Sequence, residues 1–144
     1  MTNDPEKARV NFDQSIGLKD LNYNLPCNSL YRMDGSSIIG CTTRDHNSYY
    51  NRYDEGTISR PLCNSVIDWA HDNHGIHCGI MPMPKMDGEV LSICYNAVFI
   101  TYSRDDKGMN YIDMISESFD SRYEAGSFLV DYIIKTINSS KHGR

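Results

Sequence analysis

His71, His74, His77 and Cys78 fall within one short stretch of the chain, and imidazole and thiolate are the ordinary ligands of zinc. His71 and His74 are three apart and can share a helix face. His77 and Cys78 are adjacent in an extended segment and point to opposite faces. At most one of those two can join a site, so a fourth ligand has to come from elsewhere. A simpler account is that the histidines close a helix, where they complement the negative end of its dipole, and that Cys78 packs in the core. No metal is therefore expected. A cysteine nucleophile with a histidine base is the next chemistry to consider, with Cys63, Cys78 or Cys94 meeting one of these imidazoles, but none of the three carries a family signature. The deaminase pattern H-x-E with P-C-x-x-C is absent, as are a glycine-rich phosphate loop, a G-x-S-x-G elbow and an H-E-x-x-H helix. Asp87 with Glu89 and Asp105 with Asp106 sit where turns are expected, as solvated punctuation. The sequence thus predicts a chain that is not an enzyme and needs no cofactor. A small His/Cys metal-dependent enzyme stays open as the catalytic alternative.

The stretch Arg44-Asp45-His46-Asn47-Ser48-Tyr49-Tyr50-Asn51-Arg52-Tyr53 alternates guanidinium groups with tyrosines. That is the residue set for stacking a base while pairing a phosphate. Arg44, His46, Tyr49, Tyr50, Arg52 and Tyr53 are the candidate ligand-binding residues. Two other roles suit the same residues: folding back over a small core, or anchoring a second chain, where Tyr and Arg are frequent hot spots. Two arginines suffice for one small anion, whereas a nucleic-acid polymer requires a positive field. This chain has 14 Lys and Arg against 19 Asp and Glu, a net charge of −5 and a pI near 5.4. A polyanion is accordingly excluded as the main partner.

The elements that hold these residues follow from patterning. At 144 residues, 40% of them hydrophobic, the chain suits one domain spanning 1–144. Residues 1–58 read as an N-terminal helix, a hairpin and the Tyr-rich loop, 59–138 as a core and 139–144 as a tail. Phe12, Ile16, Leu18 and Leu21 suit a short helix stopped by Leu25-Pro26. Leu30 to Met33 and Ile38 to Thr43 flank Asp34-Gly35-Ser36-Ser37 as a hairpin, and 44–57 is expected to be a surface loop. Ser59 is the expected cap of a helix carrying Leu62, Val66, Trp69 and Ala70, with Gly75 as its stop. Ile76 to Met81 alternates like a half-buried strand, ended by Pro82 and Pro84. Glu89 to Ser103 and Met109 to Ser116 are two further strands about a turn at Arg104 to Gly108. Ser121 to Glu124 is a capping box opening a helix with a stripe of Ala125, Phe128, Leu129, Tyr132, Ile133 and Ile137. The fold class is α+β: a two-layer domain with an antiparallel sheet of three or more strands against two helices, in the order α-β-β-β-α after the N-terminal helix and hairpin.

That order also occurs in double-stranded RNA-binding domains, but those place basic residues at the start of the last helix. Here the position reads Asp120, Ser121, Arg122, Tyr123, Glu124. A different resemblance covers residues 14 to 137. Gln14-Ser15 with Leu18 and Leu21, Leu25-Pro26-Cys27 before a strand, Trp69 with His74-Gly75-Ile76, and Ser118 to Gly126 before an amphipathic helix are similar to a group of small phage and prophage proteins of the Bacteroidetes type. The chain departs from that group in its longer Tyr-rich loop and in the two prolines after the strand. The resemblance implies a viral or mobile-element origin and a fold, and supplies no catalytic residues. With it, the expected function is that of a phage accessory protein that neutralises a host defence component by sequestering a small nucleotide immune signal. An inhibitor docking on a host protein is the alternative. By analogy with such sequestering proteins, a homo-oligomer is expected. Five cysteines without a C-x-x-C pair, no secretory leader and no membrane-spanning run point to a cytoplasmic chain with reduced thiols, in the host cell if phage-encoded.

Overall fold

A computed structural model describes residues 6–48 and 56–142. Among them are three α-helices and two three-stranded antiparallel sheets, an α+β chain. α1 (Phe12–Asp20) starts at a complete capping box, in which Gln14 N–H donates to Asn11 Oδ1 at 2.8 Å and Asn11 N–H donates to Gln14 Oε1 at 3.0 Å. The first sheet holds β1 (Cys27–Arg32), β2 (Ser37–Arg44) and β3 (Thr57–Ser59) in the order β2-β1-β3. The second holds β4 (His77–Asp87), β5 (Val90–Arg104) and β6 (Asn110–Phe119) in the order β4-β5-β6. α2 (Cys63–His74) joins the two sheets in sequence, and α3 (Arg122–His142) ends the described chain.

The core lies where the helices meet the second sheet. Leu18, Val66, Leu129, Val130 and Ile133 are fully buried, and Phe99 is 1% exposed, each contributing roughly 1.5–3 kcal/mol of burial. Register shows which sheet face they cover. Cys78 pairs with Phe99, Ile80 with Ala97 and Tyr95 with Phe119, and all six belong to the core cluster or pack against it. Phe99 meets Tyr132 at 4.4 Å between ring centroids, and Phe119 meets Phe128 at 5.2 Å. The alternate residues of the same strands therefore face away from the helices. Two glycines let the helices approach closely. A Cβ on Gly126 of α3 would stand 3.2 Å from Cys63 Cβ of α2, and one on Gly17 of α1 would stand 3.2 Å from Ile134.

Several expectations need correction. β4 does not end at Pro82 and Pro84 but runs through both, paired with Tyr95 and Ile93. As an edge strand it tolerates prolines of one parity, because only outward N–H groups are lost. Ser59 caps no helix: it lies in β3, its hydroxyl accepts from His46 N–H at 3.0 Å, and α2 starts after Leu62 without a side-chain cap. Residues 44–57 are not all surface loop. β3 occupies their end, so the hairpin belongs to a sheet of its own, and His46 is 3% exposed. α1 stops before Leu25-Pro26, at Leu21 and the left-handed Asn22 (φ 64°). α3 continues through 139–142, expected to be tail. Gly75 does terminate α2 in the left-handed region (φ 64°), as expected.

Candidate functional site

Of the six candidate ligand residues, Tyr49, Tyr50, Arg52 and Tyr53 lie outside the described residues. Arg44 and His46 come together in a recess of about 200 Å³ on the first sheet, shared with Arg32, Cys41, Thr42 and Thr57. The recess exists because β2 leaves the ladder. The register jumps between Cys27↔Arg44 and Ser29↔Ile39, with Gly40 at φ 76° where L-residues are strained. Arg32 and Arg44 are exposed at its rim. No motif marks Arg32, although hairpin alternation places it on the same face as Leu30.

His46 anchors the floor. Its imidazole Nε2 lies 3.1 Å from the Cys27 carbonyl oxygen and 3.4 Å from Cys41 Sγ, and Thr57 Oγ1 donates to its carbonyl at 2.8 Å. Beside it, Asn47 Nδ2 donates to the Tyr23 carbonyl at 2.9 Å, and Ser59 N–H donates to Asn47 Oδ1 at 2.8 Å. Segment 45–48 is thus pinned to both β1 and β3. The Cys41–His46 contact has the membership of a nucleophile–base pair without its electrostatics. A carbonyl only accepts, so Nε2 carries the proton and cannot take one from the thiol. Burial holds the His46 imidazole below its ordinary value and pushes the Cys41 thiol up. Both shifts favour neutral partners, the reverse of an activated thiolate.

A larger cleft, about 720 Å³, opens where the N-terminal segment, β1 and the start of α3 meet. Its wall contains two arginines, Arg9 and Arg60, that no sequence motif marks. Arg9 donates from Nη1 to the Arg60 carbonyl at 3.2 Å and from Nη2 to Asn28 Oδ1 at 3.0 Å. Arg60, with a side chain 5% exposed, lies over the Tyr31 ring at 4.9 Å; it donates from Nε to the Val10 carbonyl at 3.3 Å and from Nη2 to Glu6 Oε1 at 3.1 Å. Arg60 Nη1 is buried and has no hydrogen-bond partner among the described residues. A buried guanidinium N–H without an acceptor carries a desolvation cost of about 1–3 kcal/mol or more. Asn11 and Gln14 of the first turn of α1, and Ser121 and Tyr123 at the start of α3, complete the polar lining, with Glu6 and Glu124 as its carboxylates and Lys7 as a further cation. Neither arginine sits in a recognisable motif; only the tertiary fold brings residues 9 and 60 together, so no local pattern signals them.

The histidine cluster is partly assembled. His71 and His77 meet edge to face at 4.9 Å, His71 Nδ1 contacts Asp72 Oδ1 at 3.1 Å, and His74 packs on Trp69 at 4.8 Å. Cys78 faces the core instead, where burial pushes its thiol up to about 11. Among the described residues, no three His, Cys, Asp or Glu side chains converge as a metal site. Cys63 is likewise pushed up to about 11 by burial. At the start of α3, Arg122 stacks on Tyr123 beside Asp120 and Glu124, and no basic cluster forms there. No described helix is long and apolar enough to cross a membrane. No known protein family, curated protein or solved structure matches the chain.

Proposed function

We propose that this chain is a non-enzymatic binding protein that takes a small anionic, nucleotide-like ligand in the Arg9/Arg60 cleft. The observation that carries this reading is the buried, unpartnered Nη1 of Arg60 in the wall of a cleft of about 720 Å³, within the size range of small-molecule sites. A phosphate or carboxylate that displaces the exposed Glu6 carboxylate takes Nη2 with one oxygen and offers Nη1 its missing acceptor with another, on a guanidinium already stacked on Tyr31, and the first turns of α1 and α3 add helix-dipole attraction. Lys7 and Tyr123 are placed to contact the rest of the ligand. The Arg32/Arg44 recess, at about 200 Å³, has room for one phosphate group and is the competing location, joined to the Tyr-rich segment that follows it. With the resemblance to small phage proteins, the ligand would be a nucleotide signal of host defence, and binding it without turnover would neutralise that signal in the host cytoplasm.

Calorimetry against inorganic phosphate, cyclic di- and trinucleotides and ADP-ribose derivatives tests this directly. Saturable heat with a nucleotide, weakened at least about tenfold by Lys7→Glu and unchanged by Arg44→Ala, is the expected result. The opposite pattern moves the ligand to the recess. No heat from any of them, with the chain folded, overturns the reading. Docking on a host protein is favoured instead by the β4–β5 arm, whose helix-side residues Met86, Leu91 and Ile93 are 59–67% exposed. A stoichiometric host partner lost on Leu91→Glu is the result that second reading requires.

A further inference from the structure

The face of the second sheet that points away from the helices is apolar, and nothing in the described chain covers it. Across β4, β5 and β6 it carries Met81, Ile112 and Met114, exposed by 52%, 64% and 67%, together with Met83, Val90 and Ile100. The register places them in adjoining rows: Met81 beside Asn96, which pairs with Ser118; Gly79 beside Val98, which pairs with Ser116; and Ile100 beside Met114. The fully charged residues on this face lie at the two hairpin tips, Lys85 and Asp87 at one and Arg104 at the other, and the exposed His77 stands at the start of β4 beside Ile100. The charged residues of β6, Asp113 and Glu117, point to the opposite side.

We infer that this face packs against the same face of a second copy of the chain across a twofold axis. The six named side chains expose on the order of 600 Å² of apolar surface, at the upper limit for a monomer. With the small polar residues between them, the face approaches the roughly 800 Å² that each partner contributes to a standard interface. Charge selects the occupant. A chain of net charge −5 meets its own copy with least local repulsion across a surface poor in charge, and between its hairpin tips this face is such a surface. It offers a foreign partner no charge to recognise, whereas a twofold axis sets apolar against apolar and keeps the hairpin tips at the wet rim. Gly79 and Ser116 flank Val98 with little side-chain bulk, and a groove of about 430 Å³ borders that row, lined by Met81, Val98, Ile100 and His77 and, at its α2 edge, by the polar Asp68 and His71. Met114 and Ile112 of the opposing copy supply projecting side chains to fill it. Two sheets stacked this way lie about 10 Å apart. The face shares no residue with the Arg9/Arg60 cleft, so the dimer and the anion site stand or fall separately.

Light scattering coupled to size exclusion, at about 50 µM chain, tests the inference. The unaltered chain is expected to have the mass of two copies. Met114→Glu and Met81→Glu, on different strands, each place a carboxylate in the contact twice per dimer and are expected to weaken it at least about a hundredfold, giving the mass of one copy with an unchanged circular dichroism spectrum. Ile39→Glu changes a residue 57% exposed on the other sheet and is expected to leave the dimer intact. Should Met114→Glu disturb folding, Met81→Glu and Ile112→Glu report on the same face. A single-copy mass for the unaltered chain overturns the inference, and so does a dimer that survives the folded face variants.

Discussion

Removing the imidazole of His46 separates two roles for the residue, a ligand contact and a structural tie. His46 is 3% exposed and its Nε2–H donates to the Cys27 carbonyl at 3.1 Å. His46→Ala leaves that carbonyl without its donor, at a cost of about 1–3 kcal/mol. It also forfeits the burial of the ring, about 1 kcal/mol more. The expected loss is about 2–4 kcal/mol, or roughly 6–12 °C in Tm for a chain of this size. Trp69 is the one tryptophan and is 2% exposed, so urea unfolding followed by its fluorescence reads the loss directly. His46→Gln, which keeps a neutral N–H donor and cannot titrate, should cost about 1 kcal/mol. Burial also lowers the His46 pKa from its ordinary 6.5, so the unfolded chain takes up this proton before the folded one. Its contribution to stability is complete above pH 6.5 and falls as the pH drops towards the folded-state value. The stability difference between the unaltered chain and His46→Gln should therefore narrow below pH 6.5. A His46→Ala chain within about 0.5 kcal/mol of the unaltered one, or a difference constant from pH 8 to pH 5, would refute the structural tie.

Gly126→Leu cannot fit beside Cys63 and Ile80, where even a Cβ stands 3.2 Å from Cys63 Cβ, and should cost about 1–3 kcal/mol by overpacking, whereas in Gly126→Ala the helix-propensity gain of about 1 kcal/mol offsets part of that cost; urea midpoints report both. Cys63, at about 11, holds about a hundredfold less thiolate at pH 7 than a thiol of ordinary pKa near 9. A brief iodoacetamide pulse followed by peptide mapping should find it unmodified in the folded chain and modified in urea, and equal labelling in both states would contradict its burial. Replacing Pro82 and Pro84 together by Val restores two outward N–H groups on the β4 edge. The expected outcome is concentration-dependent aggregation, read as a lower solubility limit with an unchanged unfolding midpoint.

Much of the fold was legible because local rules and burial agree along this chain. The stripe from Ala125 to Ile137, the αL stop at Gly75 and the alternation through Cys78 and Ile80 each express one element's own periodicity, which needs no knowledge of its neighbours. Local rules end β4 too early at Pro82 because a proline's effect depends on whether its missing N–H faces a partner strand or solvent, and only the sheet order settles that. Ser59 departs from the local rule for a related reason: its hydroxyl serves a backbone N–H brought from residue 46, not one in the helix that follows.

The site was far less legible than the frame. Arg44 and His46 were singled out from a dense basic and aromatic run, yet the same signal could not tell an imidazole open to a ligand from one buried against the Cys27 carbonyl. Arg9, Arg32 and Arg60 stood in no motif at all. Composition and spacings shorter than one element suffice for the α+β class, for the helix stripes and for most of the hairpins, and they carry the net charge of −5. Which arginines share a cleft, which histidine is buried, and that Met81, Ile112 and Met114 lie together on a face that no described residue covers, emerge with the tertiary fold. Those are long-range juxtapositions, set by register and packing between segments far apart in the chain, and no local pattern encodes them.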